Sequence, residues 1–455
     1  MPDPIVQPGD RISLTIDRLA YGGEGVGRYE GLTVFVGEVC PGETVNVEVT
    51  EVKPRFARAR LREVERAAPE RVPALCPIYG ECGGCQLQHL DYPAQVASKT
   101  DAVRDAMRRL GRLPDIEVRD CIPSPLPFGY RNKIELAATT DEHGRIALAY
   151  HTVGDDRYLV PVHDCPLALP EVNGLLEAVL PWLNDTGWPP YDLEKSTGLV
   201  REVGLRFSTS TREANMMLIS GRRDLPDKAH WVERLRAALP ELVGVRHRAR
   251  TRASQSPHGR TVSARIGRPL HVKLGELSLR VSPDAFFQVN EWMLGPLADV
   301  VIAALEPRRD DIVADLYAGV GTFGLAVANA VREVVLLEVD PDAIDDAEAN
   351  VKFNRLENVR IEHGQVEQKL SWLSREVRPT KLILDPPRQG LSDAVLRIAV
   401  SAKPRGIAYV SCDPTTLARD LGRFAAAGYR TQWVQPLDLF PQTYHVESVA
   451  SLVRA

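Results

Sequence analysis

Three groups of residues have types and spacings that could do chemistry. The first is the turn Ala318-Gly319-Val320-Gly321-Thr322-Phe323-Gly324, which follows the apolar run DIVADLY. Glycines let the backbone approach a ligand closely, and the helix expected after the turn offers its N-terminus. The next apolar run ends in Glu338, seventeen residues after Gly321, placed to accept hydrogen bonds from ribose hydroxyls. This predicts an adenosine-containing cofactor. A dinucleotide would use the same glycine letters. Asp315, four residues before Gly319, tilts the reading to S-adenosylmethionine, because its carboxylate can orient the turn or meet the methionine ammonium.

The second group lies at two later run ends: Asp385 opens DPPR after KLIL, and Cys412 closes GIAYVSC. In an open α/β sheet, ligands bind beyond the carboxyl ends of the strands, so both residues are expected to face the cofactor pocket. Asp413, Thr415 and Thr416 are helix-start residues. They put Cys412 near a helix N-terminus, whose dipole would lower the thiol pKa and favour a nucleophilic thiolate. Glu447, in FPQTYHVES, gains interest as a base paired with Cys412. The third group is Cys76, Cys82 and Cys85, spaced C-x5-C-x2-C, with Cys165 the best fourth ligand. Four thiolates suit tetrahedral zinc or an iron–sulfur cluster. Cys40 and Cys121 read as ordinary cysteines.

The elements that must hold these groups are legible from periodicity. Residues 1–66 read as an OB-like β-barrel, because Ile12, Leu14 and Ile16, then Val45, Val47 and Val49, alternate with polar neighbours. Residues 67–285 read as an α+β unit carrying the cysteine loop. Its helix over 94–112, with Val96, Val103, Met107 and Leu110 on one face, is a candidate to pack on the last unit. Residues 286–455 alternate apolar runs with helical patterns, the mark of a doubly wound parallel sheet. YRTQWVQPLDLF and HVESVASLV are expected to form an antiparallel pair at its edge.

With 455 residues, 44% of them apolar, the chain suits two or three folded domains and not a disordered protein. No apolar run approaches a membrane span, and MPDPIVQPGDR is no signal peptide, so a cytoplasmic location is expected, without disulfides. The net charge is −5, yet two acid-free basic tracts stand out: eight basic residues between Val245 and Lys273, and five in Lys53–Arg62. A polyanion feels the local field, so these tracts predict an RNA or DNA partner.

The motifs YGGEGVGR, the cysteine loop, YRNK, SPDAFFQVN, DLYAGVGTFG, LDPPRQGL, SCDPTTLARD and HVES, in that order, resemble the RNA 5-methyluridine methyltransferase family. That family uses S-adenosylmethionine, and its larger members carry an N-terminal TRAM domain and a [4Fe-4S] cluster. The resemblance covers nearly the whole chain. It implies a TRAM barrel, a central α+β domain with an iron–sulfur cluster on Cys76, Cys82, Cys85 and Cys165, and a Rossmann-like methyltransferase domain. It further implies cofactor and substrate-pocket roles for Gln288, Tyr317, Glu338 and Asp385, beside Gly319 and Gly321 of the turn, with Thr322 and Gln365 less securely aligned. Cys412 takes the place of the nucleophile that adds to C6 of uracil, and Glu447 that of the base that removes the C5 proton. Ala318 stands where many members have cysteine, and Asp413 where many have asparagine. The implied substrate is a uridine in RNA, with 23S ribosomal RNA favoured over a transfer-RNA T-loop, and no obligate protein partner is evident. A nucleotide-dependent oxidoreductase with an iron–sulfur relay would explain the glycine turn and the cysteines but not the SCDP, DPPR and HVES set. A non-catalytic RNA-binding scaffold would have no need of both Cys412 and Glu447.

Overall fold

The computed structural model describes residues 5–192, 194–250, 261–369 and 372–455. Strands β1 (Arg11–Leu19), β2 (Gly25–Tyr29), β3 (Leu32–Val36), β4 (Thr44–Lys53) and β5 (Phe56–Arg66) close into a barrel in the order β1-β2-β3-β5-β4. The two-residue side-chain period sends Ile12, Leu14, Ile16, Val45, Val47 and Val49 inward, where they meet Val34 and Val36. The OB-like reading of this segment holds.

The cysteine segment leads into α1 (Tyr92–Arg109), capped by the Asp91 side chain, which accepts from Ala94 N. Its buried stripe includes Gln95, Lys99, Val103, Ala106 and Met107, while Leu110 is 55% exposed. The expected stripe of Val96, Val103, Met107 and Leu110 is therefore rotated, because two polar side chains are drawn inward by partners described below. After α1, β6 (Glu117–Val118) joins the edge of the sheet of the C-terminal unit.

A seven-stranded sheet follows, from β7 (Lys133–Thr140), β8 (Ile146–Thr152), β9 (Asp155–Pro161), β10 (Val200–Ser208), β11 (Glu213–Ser220), β12 (Leu242–Ala249) and β13 (Thr261–Gly267). Its spatial order is β13-β12-β11-β10-β7-β8-β9. Helices α2 (Pro170–Asp185) and α3 (Lys228–Ala238) contribute Leu175, Leu176, Val179, Val232 and Leu235 to a core shared with Val203, Leu205 and Phe207 of the sheet. The hairpin of β14 (Leu270–Leu274) and β15 (Leu277–Val281) instead shares its core with the C-terminal unit, through Val272 and Leu279 beside Leu294, Leu297 and Val301.

The C-terminal unit runs α4 (Leu294–Leu305), β16 (Ile312–Leu316), α5 (Thr322–Val327), β17 (Glu333–Glu338), α6 (Pro341–Phe353), β18 (Val359–His363) and β19 (Lys381–Leu384). It continues with α7 (Asp393–Ser401), β20 (Gly406–Ser411), α8 (Pro414–Ala426), β21 (Tyr429–Leu437) and β22 (Glu447–Arg454). The sheet order is β18-β17-β16-β19-β20-β22-β21-β6. Every residue of β16, β19 and β20 is buried, as befits central parallel strands covered on both faces. The chain reverses its direction of winding between β16 and β19, the point where such sheets open a crevice for ligands. The expected antiparallel pair is present as β21 and β22, with β22 inserted beside β20. Among the described residues no helix is long and apolar enough to cross a membrane.

Much of the central basic tract is spent on ion pairs, and Arg246 and Arg248 are buried by them, which corrects the reading of those two arginines as RNA surface. Arg246 contacts Asp284 at 2.6 Å and Asp342 at 2.7 Å, Arg265 reaches Asp342 at 2.6 Å, and Arg248 pairs with both aspartates. Asp342 lies in the first turn of α6, so three arginines of the central sheet clamp the C-terminal unit. Arg250 pairs with Glu202 and Arg268 with Glu213; Arg252 and Arg260 lie outside the described residues. On the barrel, Lys53, Arg58 and Arg62 pair with Glu51, Glu24 and Glu48 but stay exposed, as do Arg55 and Arg60. A run of like charges in sequence is divided by strand geometry among separate acidic partners.

Candidate active site

The site is assembled at the carboxyl ends of β16, β17, β19 and β20. Tyr317 leaves β16 at φ +93, and the Tyr317 and Ala318 N–H groups both donate to Leu337 O at 3.1 Å, fixing the turn against β17. Gly324 N donates to Asp315 Oδ2 at 2.9 Å. A Cβ at Gly324 would lie 2.3 Å from Leu336 Cδ2, so only glycine lets α5 sit this close to β17. Gly324→Ala is expected to cost about 1–3 kcal/mol by overpacking. Thermal unfolding should show a lower midpoint and a smaller rise on adding S-adenosylmethionine.

Asp315 Oδ2 thus orients the turn, while its Oδ1 is buried with no partner among the described residues. Burial, and then the nearby Asp385 carboxyl, push Asp315 up to about 8. Glu338 is held by three backbone donors: Gly319 N to Oε2 at 2.8 Å, and Val339 N at 2.7 Å and Asp340 N at 2.8 Å to Oε1. Its carboxylate is pre-oriented at the strand end, with acceptor capacity left on Oε2 for a hydroxyl. An orphaned acid, an unfilled acceptor and a close-approach glycine turn suit an adenosyl group carrying an ammonium. Thr322 is the first residue of α5, and Gln365 follows β18, where its side-chain oxygen accepts from Gln368 Nε2 at 3.1 Å. Gln288 is buried in the segment before α4, and its carbonyl accepts from Asn132 Nδ2 at 3.3 Å. Among the described residues, no hydrogen bond ties the Gln288, Thr322 or Gln365 side chain to Asp315, Asp385 or Cys412.

Asp385, Cys412 and Glu447 are brought together by topology. Because β22 runs antiparallel to β20, with Ser448 opposite Ser411, its first residue Glu447 falls at the end where β20 delivers Cys412. Burial pushes Asp385 up to about 7. Burial and the Asp385 charge hold Glu447 well above the usual carboxylate range. Burial, and then Glu447, push the Cys412 thiol up to about 11. This corrects the expectation that the helix dipole lowers it. The Asp413 carboxylate accepts from Thr415 N at 2.8 Å and Thr416 N at 3.0 Å. It therefore takes up the free donors of α8 itself and adds a like charge beside the thiolate.

The loop from Asp438 to Val446, which precedes Glu447, is braced from the N-terminal side. Lys99 Nζ meets Asp438 Oδ1 at 2.6 Å in a buried pair and donates to Phe440 O at 3.0 Å. Gln95 accepts from Gln442 N and donates to Gln442 Oε1, both at 2.9 Å. Gln86 N and Leu87 N, next to Cys85, both donate to Gln442 O at 3.0 Å. These bonds explain the inward turn of Gln95 and Lys99 on α1.

Sequence reasoning passed over Arg388, although it ends the quoted DPPR; its charge opposes the upward shifts of Cys412 and Glu447. It also passed over His445, which burial, and then Arg388, hold down to about 4 and so neutral.

Cys76, Cys82, Cys85 and Cys165 line one cavity of about 410 Å³ between the cysteine loop and β8. Gly83 N donates to His151 O at 3.0 Å, pinning the loop there. Burial raises Cys76 and Cys82, and lifts Cys85 to about 12. Arg131 lines the same cavity, its Nε buried with no partner among the described residues. Among the described residues, no group of three or more His, Cys, Asp or Glu side chains is placed to hold a metal ion, the four cysteines included.

A family profile described as tRNA (Uracil-5-)-methyltransferase matches residues 223–455, and one for the TRAM domain matches residues 6–61. RNA methyltransferases of Halalkalibacterium halodurans and Synechocystis are each 36% identical, over 99% of this chain and 97% of their own. The crystal structure of Pyrococcus abyssi tRNA (uracil-54, C5)-methyltransferase, in complex with S-adenosyl-L-homocysteine, superposes with a TM-score of 0.76 at 26% identity. That likeness covers 97% of this chain and 99% of the other. With its barrel, its glycine turn and the Asp385–Cys412–Glu447 group, the chain belongs to the tRNA (uracil-5-)-methyltransferase family and is an RNA methyltransferase with an N-terminal TRAM domain.

Proposed function

We propose that this enzyme methylates C5 of a uridine in RNA through a covalent bond between Cys412 Sγ and C6. The observation that carries the reading is the convergence of Cys412 and Glu447 at adjacent strand ends, beside the cofactor turn. Gly319, Gly321, Asp315 and Glu338 would hold S-adenosylmethionine, with Tyr317 and Asp385 at the margin between it and the base. When bound, S-adenosylmethionine supplies an electrophilic methyl group. C5 of uracil is a poor nucleophile until a thiolate adds at C6 and makes it enolate-like. The raised Cys412 thiol would make a free thiolate rare, but the carboxyls beside it are raised too. With those carboxyls partly neutral, part of their repulsion on sulfur is relieved, and the thiol proton passes to solvent as Cys412 adds to C6. After methylation Glu447, its own proton released to solvent, takes the C5 proton as a carboxylate, and the Cys412 sulfur leaves C6 with the bonding electrons.

The [4Fe-4S] cluster is assigned to Cys76, Cys82, Cys85 and Cys165. The four thiols line one cavity of about 410 Å³, and the choice of a cluster over zinc rests on the family resemblance. Its role is to tie the cysteine loop to the central sheet. Anaerobically purified protein is expected to contain about four irons per chain, all lost in Cys165→Ser with a fall in thermal midpoint. Iron removal without change in midpoint or RNA affinity would refute that role.

The substrate reading is a uridine of 23S ribosomal RNA, on the resemblance of a TRAM domain plus cluster to ribosomal enzymes. A transfer-RNA uridine is the second reading, favoured by the full-length likeness to the Pyrococcus abyssi enzyme. A target base inside folded RNA must be extruded to reach Cys412. Both readings are tested with 5-fluorouridine-substituted ribosomal and transfer RNA, each incubated with the enzyme and S-adenosylmethionine. Fluorine at C5 cannot leave as a proton, so a denaturant-resistant protein–RNA band is expected in one lane, which names the RNA class. No band in either, from protein that binds the cofactor, overturns the covalent reading.

A further inference from the structure

One side chain of the barrel reaches the catalytic group. Tyr21 lies in the turn between β1 and β2, which is closed by Ala20 N to Glu24 O at 2.8 Å and Gly23 N to Ala20 O at 3.1 Å. Its hydroxyl donates to the backbone carbonyl of Cys412 at 3.4 Å. Its ring meets Tyr444 edge to face, with centroids 5.4 Å apart, and Tyr444 packs on His445 at 4.2 Å. Tyr21 therefore touches both the end of β20, which delivers Cys412, and the loop that leads into Glu447. The approach depends on Gly23, at φ +86, where a Cβ would lie 3.1 Å from Gln86 Cβ and 3.7 Å from Tyr444 Cβ.

We propose that Tyr21 is a positioning residue through which the barrel sets Cys412 against Glu447. The proposal rests on the reading of Cys412 as nucleophile and adds a contribution of the TRAM domain to the chemical step. At 3.4 Å the hydroxyl–carbonyl bond is long, so the ring's packing between the two loops does most of the positioning. Misplacement of reacting groups by about 1 Å can cost about 100-fold in rate, and loss of the ring removes a contact shared by both loops.

The test compares Tyr21→Ala and Tyr21→Phe in the full chain, with Cys412→Ala alongside, at saturating S-adenosylmethionine. Tyr21→Ala is expected to lower kcat by about 10-fold to 100-fold with the KM for RNA unchanged. Tyr21→Phe keeps the ring and should restore kcat to within about 3-fold of the parent. A normal kcat with a raised KM in Tyr21→Ala would make Tyr21 an RNA contact and overturn the proposal. So would a loss in Tyr21→Ala that Tyr21→Phe does not rescue. If Cys412→Ala is inactive while Tyr21→Ala has the parent kcat, this proposal fails alone; an active Cys412→Ala overturns the nucleophile reading and this proposal with it.

Discussion

Cys412→Ala is expected to abolish methyl transfer, by at least about three orders of magnitude in single-turnover rate, while S-adenosylmethionine affinity stays within a few-fold of the parent. The two effects separate because the groups do. The proposed cofactor side is Asp315, Glu338 and the glycine turn, braced by their own backbone bonds. Cys412 lies at the end of β20, beyond β19, and its side chain takes no part in those bonds. Losing Sγ leaves the sheet and the Asp413 cap of α8 in place. Methyl transfer is read with radiolabelled cofactor and binding by calorimetry; full activity in this variant would sink the covalent mechanism.

Glu447→Gln is expected to form the Cys412–RNA adduct and then stall, so that methylated RNA accumulates covalently on the protein in a denaturing gel. The amide keeps the shape and burial of Glu447 but cannot accept the C5 proton, and elimination has no base. Relief of charge repulsion on Cys412 in this variant favours the thiolate, which further separates addition from elimination. A freely turning-over Glu447→Gln enzyme would remove Glu447 from the role. The same group sets the pH dependence. Asp385 is raised to about 7, Glu447 lies well above its usual range and Cys412 near 11, so the reactive ionised forms gain population as pH rises. The single-turnover rate should climb from pH 6 into the alkaline range, with apparent values belonging to the coupled group. The sign for stability is the opposite. Carboxyls raised in the folded state favour folding below their unfolded values near about 4, and that contribution is lost as pH rises through about 7 to 8.

How much of this was legible in the sequence follows the range of the interactions concerned. The barrel and the doubly wound unit could be read because alternation at Ile12, Leu14 and Ile16, and unbroken apolar runs such as KLIL, are local consequences of one buried face or two. The glycine turn with Glu338, and the placement of Asp385 and Cys412 at strand ends, needed only chain order and the rule that ligands bind at carboxyl edges. Charge and proton affinity could not be read this way. Arg246 and Arg248 looked like part of an RNA surface until the fold set Asp284 and Asp342, tens of residues away in sequence, against them. The Cys412 thiol looked activated because its neighbours in sequence start a helix, yet its proton affinity is decided by burial and by Glu447, delivered by a different strand. Gln95 and Lys99 turn inward for partners in the Asp438–Val446 loop, and Tyr21 reaches Cys412 from the other end of the chain. The sequence by itself determined which elements form and which residue types stand at their ends. Only the tertiary structure decided which charges meet, because pairing across hundreds of residues depends on the packing of whole domains and leaves no local pattern.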